Sequence, residues 1–181
     1  METKESPKGA VSGNNYVKHL GYPDTCSVTV REQKVQCDTA DISASGERCW
    51  PLSPTFHSEG IESKGSAKVN ADHSGTVTIA RLKATTVTLT CSYSGTLVID
   101  DLECDTVDID CRYSSTVHIK RINAQTVNFS VIYASTLRFD EGRIHFVKGL
   151  VDYASTGRSR AKIDRDDVRA EHASTWDSQA G

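Results

Sequence analysis

From residue 66 onward the chain alternates apolar and polar positions in short bursts that recur at a fixed interval. Val77 and Ile79, Leu97 and Ile99, Val117 and Ile119, and Leu137 and Phe139 each follow a threonine, at Thr76, Thr96, Thr116 and Thr136. Ten residues further on, Thr86, Thr106 and Thr126 precede Val87 and Leu89, Val107 and Ile109, and Val127 and Phe129. Apolar-polar-apolar alternation marks a half-buried strand, and the β-branched residues favour strand over helix. The pattern predicts two main strands and two turns in each 20-residue coil.

Tyr93, Tyr113, Tyr133 and Tyr153 keep the same 20-residue spacing, with His73 one period earlier. Each tyrosine leads into short polar residues that mark a turn. A tandem unit this regular is the signature of a solenoid. Parallel stacking of identical coils places residue n about 4.8 Å above residue n−20, so like side chains form ladders along the axis. The expected fold is all-β: a single-stranded parallel β-helix (β-solenoid), right-handed by the general chirality of parallel crossovers.

Segments outside the regular array organise the rest. Residues 1–24 and 157–181 are polar and aperiodic and are expected to be flexible tails, the second carrying mixed charge from Arg158 to Glu171. Residues 25–65 contain two alternating stretches, Ser27-Val28-Thr29-Val30 and Thr39-Ala40-Asp41-Ile42-Ser43-Ala44, which are expected to form irregular first coils. Between them and the regular solenoid of 66–156, Cys49-Trp50-Pro51-Leu52-Ser53-Pro54 is expected to fold over the open end of the stack.

One unit, Tyr93-Ser94-Gly95-Thr96-Leu97-Val98-Ile99-Asp100-Asp101-Leu102 with its continuation to Cys111, resembles the 20-residue unit of the auto-transporter adhesin head (GIN) domain. The resemblance implies a β-solenoid with a cell-surface binding role, and it brings no catalytic residues with it. Most turn glycines of that unit are replaced here by Tyr, Ser and Ala, and its turn aspartate by Thr.

Charge narrows the partners. A net charge of −3, with both signs mixed along the chain, gives no basic field for nucleic acid or for an anionic membrane. No stretch reaches the ~18 apolar residues of a membrane span, and no signal peptide is visible. The expectation is intracellular by default and cell surface if exported, with no membrane insertion.

Candidate chemistry is sparse. Cys91 and Cys111 share an inward row with Val131 and Val151, and Cys104 shares one with Ala84 and Ala124, so all three read as small core residues. Cys26, Cys37 and Cys49 lie in the irregular region and are free to pair as a staple. Asp100, Asp101, Glu103, Asp105, Asp108 and Asp110 make the densest acidic patch, but Lys120, Arg121 and Arg81 stack on it, which predicts register-fixing ion pairs rather than a Ca²⁺ site. No metal, cofactor or catalytic constellation is expected. Parity with Cys91 and Val131 places the tyrosine row at a corner of the core.

What remains outward and variable is Val98, His118 and Arg138 in one row, and Asp108, Asn128 and Lys148 in another. These are the expected binding residues of a non-catalytic, adhesin-like module for a protein or glycan. A scaffold that stacks end to end into filaments is the alternative, and a carbohydrate-active enzyme the third.

Overall fold

The computed structural model describes residues 2–5, 11–21, 28–49 and 53–180. Its strands are β1 (Glu2–Glu5), β2 (Val11–Leu20), β3 (Val28–Ser45), β4 (Thr55–Ser63), β5 (Ser66–Asp72), β6 (Thr76–Ser92), β7 (Thr96–Arg112), β8 (Thr116–Ile132), β9 (Thr136–Asp152), β10 (Thr156–Ala170) and β11 (Thr175–Ala180). All pair in parallel in one 11-stranded sheet, wound into a β-solenoid of about eight turns. Over the regular coils residue n pairs with residue n+20, as Thr76 with Thr96 and Val87 with Val107.

Each coil has the two main strands expected and a short additional side between them. The β6–β7 ladder runs over 76–79, 81–84 and 86–91 and skips Ala80 and Thr85. At each skip two successive residues turn outward, Ala80 with Arg81 and Thr85 with Thr86. A flat strand cannot place neighbours on one face, so the chain bends there. We call 76–79 and its equivalents the first side, 81–84 the second and 86–92 the third. The second side is short, and its inward Leu82 and Ala84 are out of phase with both neighbours, which hid it in the alternation pattern.

The third corner closes the coil with a strained turn. His73 and Ser74, Tyr93 and Ser94, Tyr113 and Ser114, Tyr133 and Ala134, Tyr153 and Ala154, and His172 and Ala173 all have positive φ. Two consecutive left-handed residues make a type I′ turn. It is closed by Gly75 N–H to Asp72 O at 2.8 Å, Gly95 N–H to Ser92 O at 2.9 Å and Ser174 N–H to Glu171 O at 3.1 Å. Each left-handed non-glycine costs about 1–2 kcal/mol. Opposing that cost, Ser94 N–H donates to Tyr113 O at 3.0 Å and Ser114 N–H to Tyr133 O at 2.9 Å, so each corner is bonded to the next. Beneath the rings Ser115, Ser135 and Ser155 are buried, and the Oγ of Ser135, Ser155 and Ser174 accepts the N–H of the serine one coil earlier.

The stack is longer than the sequence pattern indicated. Residues 2–5 and 11–20, expected in a flexible tail, form β1 and β2 and pair with β3; residues 6–10 and 22–24 lie outside the described set. The expected C-terminal tail forms β10 and β11, which extend the ladder from β9. The period there falls to 19, Lys162 pairing with Arg143 and Ala170 with Val151, so a fixed frame of 20 loses the repeat. Nor does the segment after β3 cap an open end. Its described flanks, 46–49 and 53–54, lie between two stacked coils, since β3 pairs with β4. Gly46 N–H there donates to Asp72 O at 3.1 Å; residues 50–52 lie outside the described set.

One continuous apolar core fills the interior from Leu20 to Ile163, with Phe56, Ile79, Leu82, Ile99, Ile119 and Phe139 fully buried. Near the N-terminal end its place is taken by Glu32, in the column of Ser58 and Ile79. That carboxylate is buried and paired with Lys18 Nζ at 3.3 Å. At the other end Asp166 continues the column of Val127 and Val147, and accepts from Trp176 Nε1 at 2.9 Å and Ser178 Oγ at 2.8 Å. Trp176 crosses beneath Gly157 to meet Phe129 at 5.0 Å between ring centroids. Gly149 leaves the room that the Phe129 ring fills: an added Cβ would lie 2.5 Å from it.

Ala134→Gly removes left-handed strain at one corner and is expected to raise unfolding stability by about 1 kcal/mol, read as a higher urea midpoint with unchanged m. The same substitution at Ala124, buried on an extended segment, should lower the midpoint. Trp176→Ala is expected to cost about 2 kcal/mol, below a full core deletion because Trp176 is only partly buried. Its amide hydrogen exchange should quicken in β10 before β6 and β7; uniform quickening along the stack would contradict an end-capping role.

Candidate functional site

Opposite charges stacked one coil apart neutralise the second side. Lys83 Nζ meets Glu103 Oε1 at 2.6 Å, Arg81 lies 3.9 Å from Asp101, Arg121 meets Glu141 at 2.8 Å, and Arg143 meets Asp164 at 3.0 Å. Lys120 reaches Asp100 at 2.7 Å at the adjoining corner. Asp100, Asp101 and Glu103 of the acidic patch are therefore paired with stacked basic neighbours, as expected.

The first side is also largely paired. His118 Nε2 lies 2.7 Å from Asp140 Oδ2, Arg138 bonds the other oxygen of the same carboxylate, and Arg158 lies 3.4 Å from Asp177. Burial pushes the Asp140 carboxyl up, but the hydrogen bonds from His118 and Arg138 outweigh it and hold the group below the usual carboxylate range. The predicted row Val98, His118 and Arg138 lies on this side.

Asp108, Asn128 and Lys148 lie on the third side instead, so the predicted binding set divides between two faces. There Asn128 Nδ2 donates to Asp108 Oδ1 at 2.8 Å, and Arg112 bonds Asp110. These groups line an open depression of 880 Å³ that runs from Thr88 to Glu171 and includes Ser130, Leu150, Asp167 and Arg169. Among the described residues no hydrogen bond or ion pair engages the side chains of Lys148, Asp167 or Arg169. Sequence reasoning missed Asp167, Arg169 and Glu171 because of the 19-residue coil. The signal was present: Glu171-His172-Ala173-Ser174-Thr175 aligns on Asp152-Tyr153-Ala154-Ser155-Thr156.

The tyrosines border the third side, and they are exposed by 40–49% rather than held at a corner of the core. Parity failed because both left-handed residues of the turn face outward, so the alternation breaks at the tyrosine and resumes in the same phase at Gly95 and Ser115. The rings stack in one row with His73 and His172 at its ends, centroids 4.5 to 5.0 Å apart and planes within 17° of parallel.

Thiols offer little chemistry. Cys37, Cys91, Cys104 and Cys111 are free and buried. Burial pushes the thiols of Cys91 and Cys104 up to about 12, leaving them protonated and poorly nucleophilic at neutral pH. Cys49 is disulfide-bonded, and Cys26 lies outside the described residues. Asp152, Glu171 and His172 bring three potential metal-ligand atoms within 4.8 Å of one another. The His172–Asp152 contact at 2.7 Å is matched by His73–Asp72 at 2.8 Å at the other end of the ring row, so an Asp–His pair belongs to the corner itself. Among the described residues no helix is long and apolar enough to cross a membrane.

Because the folded Asp140 carboxyl is held below its unfolded value, its contribution to stability is full above the unfolded pKa of about 3.9 and is lost as pH falls through the folded value. Asp140→Asn should therefore lower stability by about 1 kcal/mol at pH 6, and the gap from wild type should close below pH 3. A gap that stays constant from pH 6 to pH 2 in urea titrations would show that the carboxylate charge is not what matters. No protein-family model matches the chain, and neither does any curated protein or solved structure.

Proposed function

We propose that this chain is a non-catalytic, adhesin-like binding module that presents the third side of its solenoid to a protein or glycan. The observation that carries this reading is the depression of 880 Å³ on that side, where Lys148, Asp167 and Arg169 have no protein partner among the described residues. Elsewhere the outward charges are mostly spent on pairing coil with coil. Groups held on a rigid sheet lose little freedom on binding, so even a shallow polar surface can recognise a ligand.

End-to-end assembly has less support. A second copy stacked on the C-terminal end of the described array would have to cover Asp166, whose exposed carboxylate accepts from Trp176 and Ser178, and burying a carboxylate is costly. The module is expected to sediment as a single species.

Lys148→Glu/Arg169→Glu reverses two charges in the depression, while Arg160→Glu alters an exposed cation away from it. On glycan and extracellular-protein arrays the wild type and Arg160→Glu should share their hits, and the double variant should bind them at least tenfold more weakly. Hits retained by the double variant would move the site elsewhere, and arrays without a hit would remove the support for binding.

A further inference from the structure

The ring row at the third corner borders the third-side depression but lines none of it. His73, Tyr93, Tyr113, Tyr133, Tyr153 and His172 stack face to face, so each inner ring spends both π-faces on its neighbours. What the four tyrosines show to solvent is ring edge and hydroxyl. Sugar stacking and cation–π contacts both need a ring face, and along the row none is free. Aromatic edges carry the positive end of the ring quadrupole, and their complement is the electron-rich face of another π-system.

We propose that the tyrosine row is a binding strip for an elongated, flat, conjugated molecule that lies along the solenoid axis with its face against the ring edges. Three features of the corner support it. The spacing of 4.5 to 5.0 Å repeats without interruption, so a long planar molecule meets several edges at once. On one flank of the rings the column is Ser74, Ser94, Ser114, Ala134 and Ala154, all exposed and short, so no side chain on that flank rises to block a ligand lying lengthwise. The corner is also rigid: each left-handed turn is bonded to the next, so the edges are aligned before a ligand arrives.

A neutral, electron-rich, rod-like stilbene dye serves as the probe, titrated into the monomer fraction with sedimentation run in parallel to exclude aggregates. A saturable fluorescence increase is expected at one or a few sites per chain. Tyr113→Asn/Tyr133→Asn interrupts the row while supplying a residue that tolerates left-handed backbone, so the corner should still form; circular dichroism checks that it does. That variant should lose at least tenfold in affinity. Tyr113→Phe/Tyr133→Phe keeps the edges without the hydroxyls and should bind within about twofold of wild type. Lys148→Glu/Arg169→Glu should bind the dye normally, which separates this strip from the third-side surface. The proposal is overturned by a wild type with no saturable signal, by a folded asparagine variant that binds as well as wild type, or by equal loss in the phenylalanine variant. Should the asparagine pair not fold, the single variant Tyr133→Asn takes its place with the same criterion.

Discussion

A coil of this solenoid closes only if the chain reverses within three residues, and it does so by putting two side-chain-bearing residues in left-handed backbone. That turn is unfavourable in isolation, by an amount comparable to one good ring contact plus one hydrogen bond. Each corner is therefore held by its neighbours: by the amide-to-carbonyl bond running from one turn to the next, by the stacked ring and by the serine beneath it. Stability is then cooperative along the axis, and one coil alone would have no reason to adopt the turn. The 20-residue period is the covalent consequence, because like corners must fall directly above one another.

The same dependence explains how the array accommodates irregularity. Extra residues are tolerated between coils, as between Ser45 and Thr55, because the flanking ladders simply resume. Inside the core the adjustments are made in volume. Phe139 continues a column of isoleucines, and in the same coil Gly142 continues the column of Leu102 and Ile122. An added Cβ at Gly142 would lie 2.0 Å from Ile122 O, and its φ of +116° suits glycine alone. Gly149 and Gly157 similarly admit the rings of Phe129 and Trp176, so the end of the described core is closed by aromatics drawn in from adjacent coils.

Much of this was legible in the residues. Val87 and Val107 announce a strand and a parallel stack, the column positions of Cys91, Cys104 and Cys111 announce a core, and the alternation of Arg81, Asp101 and Arg121 announces a charge ladder. What was not legible had local physical causes. The second side is four residues long and bounded by bends, so its inward pair at Leu82 and Ala84 breaks the period of two on either side. Tyr113 was assigned inward by counting parity into a turn whose two left-handed residues both face outward. His172 and Trp176 were lost to a single-residue contraction, which moves every later column by one place. The outward set around Lys148 was visible, but its continuation through Asp167 and Arg169 required the corrected frame.

The three sides differ in how freely their outward residues can vary, and this bears on where recognition can reside. On the second side Lys83 opposes Glu103 and Arg121 opposes Glu141, so a substitution at Glu103 or Arg121 disturbs register as well as surface. Asp140, at the corner after the first side, is tied to both His118 and Arg138. Down the outward column of the third side the residues run Thr88, Asp108, Asn128, Lys148 and Asp167, and a single hydrogen bond, Asn128 to Asp108, links neighbours along it. Register on that side is carried by the apolar interior and the corner, which leaves its surface free to change without cost to the fold. A module that must keep its architecture while meeting a particular ligand has that latitude where stacking has already been secured by other residues.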